Sequence, residues 1–202
     1  MTGGATGTYP PLQGLVGKKI VLVATGALGT ALLPTWLEWI RHAAPETEFR
    51  LVLTRSASRF VGLAAIRAFM GKEPIIDDWA GVDVPLHVEL AQWAEGFLVH
   101  PATMHFVSRL SAGLCDSPTL LAIQGTCVPV VVAAAAPPGF IQSPVWGQYR
   151  RALGERENVT LLDPAAGYSA FDPTLKGSPA AVFSDAAAVL AARITESGAP
   201  SA

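Results

Sequence analysis

Short uninterrupted apolar runs alternate along the chain with longer segments whose apolar positions return every three to four residues. The runs sit in KKIVLVAT (18–25), FRLVLT (49–54), GFLVH (96–100), VPVVVAAAA (128–136) and VTLLDP (159–164), and they predict strands. Being continuous rather than alternating, they suit strands buried on both faces. Helical spacing marks LGTALLPTWLEWIRHAA (28–44), SASRFVGLAAIRAF (56–69), PLHVELAQWA (85–94), TMHFVSRLSAG (103–113), SPTLLAIQG (117–125), SPVWGQYRRALGER (143–156) and DAAAVLAARITES (185–197). Strand–helix alternation of this kind predicts an α/β fold in three layers, a parallel sheet with helices on both faces. A Pro- and Asp-containing connection links the second and third helices, and 165–179 is the longest irregular segment, a lid or binding loop or a disordered stretch. Residues 1–17 read as a flexible N-terminal tail, 18–196 as one domain and 197–202 as a C-terminal tail.

Composition narrows the classes. Half of the 202 residues are hydrophobic and 15% are charged, below the roughly 25% of an ordinary soluble protein, which points to surface used in subunit contact. The longest apolar run stops at Pro137, short of the roughly 18 residues a membrane span needs. The net charge of −2 comes without a basic cluster, so nucleic acid is not an expected partner. The N-terminal stretch has neither the basic start nor the apolar segment of a signal peptide, and a cytoplasmic protein is expected. Two cysteines, Cys115 and Cys127, form neither a disulfide framework nor a zinc pattern and read as small buried residues.

Candidate chemistry gathers where strands end, because ligands of open α/β sheets sit at the carboxyl edge. The first strand runs into Thr25-Gly26, so Gly26 and the N–H groups of Ala27 and Leu28 can approach an anion at a helix start, or the glycine merely makes the turn. A dinucleotide site asks for G-x-G-x-x-G and an acid ending the second strand. Here that strand ends in Thr54-Arg55-Ser56, which favours a mononucleotide phosphate and keeps NADP as an alternative through Arg55. His87 follows Pro85, which suits a first helical position; the positive helix end favours an uncharged imidazole able to accept a proton, a capping or surface histidine being the alternative. The run Phe97-Leu98-Val99 breaks at Pro101 into a helical segment, leaving small and hydroxyl residues at a corner. His100 and His105 lie five apart with no carboxylate to complete a set, so no metal site is expected. Ser143-Pro144 reads as an N-cap and first helical residue, and Trp146 as a core residue.

Five stretches in order resemble one family, the homo-oligomeric flavin-containing cysteine decarboxylases. TGALGTALLP (25–34) resembles the family's T-G-S-I-A-A-Y-K-A-P turn, and LTRSASRFV (53–61) resembles the segment after its second strand. HVELAQWAE (87–95) resembles the motif opening with the active-site histidine, which maps onto His87. PATMHFVSRLSAGLCD (101–116) is similar to P-A-S-A-N-T followed by A-x-G-x-x-D, and GFIQSPVW (139–146) to P-x-M-N-x-x-M-W. The resemblance implies a Rossmann-like, flavodoxin-type sandwich with a mostly parallel sheet and a bound FMN, FAD being the alternative. By the same resemblance Thr25, Gly26, Ala27, Leu28, Thr54, Ser56, Pro101, Ala102 and Thr103 would contact the flavin, with Pro101-Ala102-Thr103 a hydroxylated shelf against its ring. His87 would be catalytic, and His105, Gln142 and Trp146 would bind substrate, His105 and Gln142 standing where the family has asparagines. The family's phosphopantothenoylcysteine decarboxylases carry a late cysteine that supplies a proton for reduction of the enethiol; AAGYSAFDP (165–173) has none, which implies the peptidyl-cysteine branch. That branch acts on the C-terminal segment of a precursor peptide and assembles as a trimer or a dodecamer of trimers. A phosphopantothenoylcysteine decarboxylase-like enzyme or a non-catalytic flavin-binding subunit are the alternatives.

Overall fold

The computed structural model describes residues 12–80, 84–168, 172 and 174–198. Among them, six strands form one all-parallel sheet: β1 (Lys19–Ala24), β2 (Glu48–Leu53), β3 (Ile75–Ile76), β4 (Gly96–Thr103), β5 (Val130–Ala135) and β6 (Val159–Leu162), in the order β3-β2-β1-β4-β5-β6. The order reverses between β1 and β4, so consecutive connections there leave on opposite faces and open a crevice at the carboxyl edge. Helices α1 (Leu33–Ala43), α2 (Leu63–Met70) and α8 (Phe183–Ser197) cover one face. Helices α3 (Leu86–Trp93), α4 (Met104–Ser111), α5 (Pro118–Gly125) and α7 (Pro144–Gly154) cover the other. The short helix α6 (Pro138–Ile141) precedes α7.

Strand alternation divides the core in two. Along β1, Ile20, Leu22 and Ala24 pack with Leu33, Leu37 and Ile40 of α1, whereas Val21 and Val23 pack with Phe97, Val99 and the α3–α5 layer. These strands are buried along nearly their whole length, as continuous apolar runs require.

Several boundaries differ from those the sequence predicts. The segment 28–44 begins as a 3-10 turn, Leu28–Leu32, before α1, and 56–69 splits into a 3-10 turn (Ala57–Arg59) and α2, with Gly62 at the N-cap between them. The connection before the third helix contains the edge strand β3. Pro85 is the N-cap of α3 rather than its first residue. Within 165–179, β7 (Gly167–Tyr168) and β8 (Lys176–Gly177) pair antiparallel; residues 169–171 and 173 lie outside the described set, as do 1–11 and 199–202 of the expected tails. Both cysteines are exposed, not buried: each lies in an irregular stretch flanking α5 rather than on a core stripe.

The largest departure is at Pro101. Strand β4 does not break there but continues to Thr103, with a cis peptide between His100 and Pro101 and a register shift against β5 between Val99 and Ala102. Thr25 makes this possible. Its hydroxyl, 1% exposed, donates to the Pro101 carbonyl at 2.7 Å and accepts from the Thr103 N–H at 2.8 Å, joining the ends of β1 and β4 where a ladder bond is missing. The Thr30 hydroxyl in turn donates to the Thr25 carbonyl at 2.6 Å. Replacing Thr25 with Val keeps the shape and strands the Thr103 N–H, while the Pro101 carbonyl keeps only the Thr25 N–H at 3.3 Å, so urea denaturation should show a loss of about 1–3 kcal/mol, while Thr25→Ser should lose less than about 1 kcal/mol.

Candidate functional site

Two cavities flank the crevice, one on each side of the ridge made by the β1 and β4 ends. The first, of about 370 Å³, is lined by Thr25, Gly26, Thr54, Arg55, Ser56, Asp77, Asp78, Trp79, Thr103, His105, Phe106, Arg109, Asp116 and Ser117. Its size falls within the roughly 300–1,000 Å³ usual for small-molecule sites. The second, of about 890 Å³, is largely apolar and is walled by Ala27, Leu28, Trp36, His100, Pro101, Phe183 and the β7–β8 hairpin.

The first cavity brings together six of the residues singled out from sequence: Thr25, Gly26, Thr54, Ser56, Thr103 and His105. Its floor exists because two loops touch. A Cβ built on Gly26 would fall 2.4 Å from the Ser56 Cβ, so only glycine lets the β1 and β2 loops meet. Thr54 accepts the Ala57 N–H at 3.2 Å and so shapes the turn that presents Ser56. Thr103 caps α4, accepting from the Phe106 N–H at 3.4 Å. At the first turn the Ala27 N–H is already held by the Thr25 carbonyl at 2.8 Å. Alternation along β4 is interrupted at the register shift: His100 and Pro101 both line the second cavity, whereas Ala102 is buried in the core of the other face and Thr103 lines the first cavity. Ala27 and Leu28 likewise face the second cavity.

His87 stands one ring outside the first cavity. Its imidazole, half-buried on α3, packs edge-on against Trp79 with centroids 5.7 Å apart, and its Nδ1 is buried without a hydrogen-bond partner. Gln142 is exposed at the end of α6, and Trp146 is 4% exposed, in contact with Phe140 in the core beneath α7; neither is on the wall of either cavity. Ser143 is the N-cap of α7 as expected, but its hydroxyl makes no capping bond and is buried unpaired.

Charges around the first cavity are paired. Arg55 bonds Asp78, whose carboxyl is held below the usual range first by the Ala80 N–H and then by Arg55. Arg109 bonds Asp116, lowering that carboxyl as well. Asp77 accepts the Thr119 N–H at the start of α5. Arg109, Trp79 and Asp77 escaped the sequence reading; the one available signal was the spacing of His105 and Arg109, one helical turn apart. Among the described residues, no cluster of His, Cys, Asp and Glu could hold a metal ion, and no helix is long and apolar enough to cross a membrane.

In the second cavity His100 is 5% exposed, its Nε2 2.7 Å from the Ala181 carbonyl and its ring edge-on to Trp36 and Phe183. Burial pushes its pKa below 6.5, partly opposed by the Ala181 bond. The folded chain therefore binds fewer protons at this group than the unfolded chain once pH drops through about 6.5, so stability is fully present above that value and falls with acidification.

The sequence profile of the Flavoprotein family matches residues 9–181. A cypemycin cysteine dehydrogenase (decarboxylating) from Streptomyces sp is 37% identical over 123 residues, 60% of this chain and 65% of that protein. The coenzyme A biosynthesis bifunctional protein CoaBC of Haemophilus influenzae is 28% identical over 166 residues, 81% of this chain and 40% of that protein. The match thus spans less than two thirds of either relative. The crystal structure of the cypemycin decarboxylase CypD superposes with a TM-score of 0.70 at 29% identity, covering 91% of this chain and 97% of that one.

Two outcomes are expected here. Gly26→Ala should destabilise the chain by about 1–3 kcal/mol, and Ser56→Gly, which removes the opposing Cβ, should restore most of the loss in the double variant. Between about pH 7 and about pH 5.5, wild-type stability should fall more steeply than that of His100→Asn, which keeps a donor for Ala181 but does not titrate.

Proposed function

The chain belongs to the Flavoprotein family, and from that premise we propose that it oxidatively decarboxylates the C-terminal cysteine of a ribosomally made precursor peptide with FMN as cofactor. The product is an aminoenethiol, ready for macrocycle formation. The observation that carries this reading is the hydroxyl-lined cavity at the switch point, closed by the Gly26–Ser56 contact, in a chain 37% identical to a cysteine dehydrogenase (decarboxylating) over 123 residues.

The residues present fit a flavin mononucleotide. Thr54 and Ser56 offer hydroxyls where a dinucleotide site would place an acid, and Gly26 lets the loop that carries Ser56 close against the β1 turn. Gly26, Thr54, Ser56 and Thr103 would hold FMN in the first cavity, with Thr25 fixing the corner, Ala102 backing it, and Ala27, Leu28 and Pro101 on the ridge. When bound, FMN supplies the acceptor for a hydride equivalent from the cysteine β-carbon. Once the Trp79 indole that packs on its ring moves aside, His87 would take the thiol proton through its unpartnered Nδ1, so the substrate becomes a thioaldehyde, whose C=S group draws in the electron pair released as CO2 leaves the α-carbon. His105 holds the departing carboxylate from the cavity wall, Gln142, exposed at the end of α6, would reach it only from another copy in the homo-oligomer, and Trp146 anchors the segment that carries Gln142. The β7–β8 hairpin closes over the peptide end and keeps water out.

The enzyme works as a homo-oligomer, a trimer or a dodecamer of trimers. Supporting this are the low surface charge and the exposed apolar side chains Leu28, Leu32, Leu175 and Val182 around the second cavity. Exposed thiols at Cys115 and Cys127 suit a reducing compartment, so we place it in the cytoplasm. A phosphopantothenoylcysteine decarboxylase-like activity is the second reading, favoured by the match to CoaBC over 81% of the chain.

Incubating the chain and FMN with a cysteine-ending peptide should yield a product lighter by CO2 and two hydrogens in mass spectrometry. His87→Asn should slow that loss by about a hundred- to ten-thousandfold while flavin absorbance is retained. Unchanged turnover removes His87 from its role. Turnover of phosphopantothenoylcysteine alone establishes the second reading, and no turnover of either substrate makes the chain a non-catalytic flavin-binding subunit.

A further inference from the structure

His105 and Arg109 lie one turn apart on α4, and Arg109 Nη1 is 3.3 Å from His105 Nε2. A guanidinium carries donors and no acceptor, so this hydrogen bond has a single polarity. Nε2 accepts, and the hydrogen of the uncharged ring sits on Nδ1. Arg109 is held in place: its Nε lies 2.9 and 3.0 Å from the two Asp116 carboxylate oxygens, and its side chain is only 18% exposed. Asp116 is fastened in turn, its main-chain carbonyl accepting the Trp79 indole N–H at 3.0 Å. All four side chains line the first cavity.

We propose that Arg109, oriented by Asp116, is a positioning residue that locks His105 in the Nδ1–H tautomer. With Nε2 occupied, Nδ1–H becomes the one polar contact His105 has left for a ligand, and it is a donor. In the opposite tautomer a lone pair would stand there and repel a carboxylate. Arg109 therefore turns an ambivalent imidazole into a dedicated donor for an anionic group, without placing its own charge on it. The part this plays with a peptide carboxylate rests on the decarboxylation proposed above, whereas the tautomer does not.

Long-range ¹H–¹⁵N correlation of histidine-labelled protein at mildly alkaline pH, with the His105 signals assigned by their loss in His105→Gln, tests the tautomer directly. We expect a protonated, pyrrole-type Nδ1 and a bare, pyridine-type Nε2. Arg109→Met should shift His105 toward Nε2–H, and Arg109→Lys, still a pure donor, should restore Nδ1–H. Asp116→Asn should give a mixture, a second check should Arg109→Met fold poorly. With a cysteine-ending peptide, Arg109→Met should raise KM by about ten- to a hundredfold and change kcat less. An Nε2–H ring in the wild type, or a tautomer indifferent to Arg109, overturns the proposal whatever the activity. The predicted tautomer in a chain that turns over no cysteine peptide leaves Arg109 in its role and overturns the reaction instead.

Discussion

The hydroxyl of Thr25 holds the molecule's functional edge together. In a parallel sheet of order β3-β2-β1-β4-β5-β6 the neighbours β1 and β4 send their chains to opposite faces, and between their ends the main chain supplies the Thr25 N–H to Pro101 carbonyl bond, long at 3.3 Å. One buried side chain, donating to the Pro101 carbonyl and accepting from the Thr103 N–H, adds two shorter bonds to that connection. Because it works in both directions at once, β4 can run past a proline and still deliver Thr103 as the cap of α4. The placement of α4 then puts His105 and Arg109 on the wall of the first cavity.

The ridge so formed separates two environments of different chemistry. On the α4 side, hydroxyls and paired charges surround a small cavity in which both cations are already held by carboxylates. An anion there must be bound by hydroxyls, backbone N–H groups and oriented neutral donors, or by taking a guanidinium from its partner. On the α1 side, a larger cavity is lined by aromatic and aliphatic groups around an imidazole that burial keeps uncharged at neutral pH. A ligand with a phosphate at one end matches the first environment, and apolar protein surface matches the second.

The sheet was legible because strands buried on both sides leave continuous apolar runs, and five of the six strands in it announce themselves that way. Ile75–Ile76 did not, since two residues make no pattern. Pro101 misled for a physical reason: a proline removes a ladder donor, and the hydroxyl that compensates lies 76 residues earlier in the chain. Of the site, the hydroxyls at strand ends were readable from position alone, since strand ends converge in any such sheet. Trp146, a large apolar ring, reads as core and is buried there, whereas the family motif had it binding substrate. The network of Arg109, Asp116 and Trp79 was not, because its bonds depend on where α3, α4 and the loops around them meet. His87 shows the same limit: its sequence motif placed it on α3, but only packing shows the indole of Trp79 standing between it and the cavity.

The central claim is that the hydroxyl-lined cavity, not the larger apolar one, is where the cofactor binds. A crystal structure of the protein grown with FMN tests it most directly. Flavin density bounded by Gly26, Ser56 and Thr103, with the phosphate against the Thr54–Ser56 turn, is the predicted result. Density seated among Trp36, His100 and Phe183, with the first cavity filled only by solvent, would contradict it.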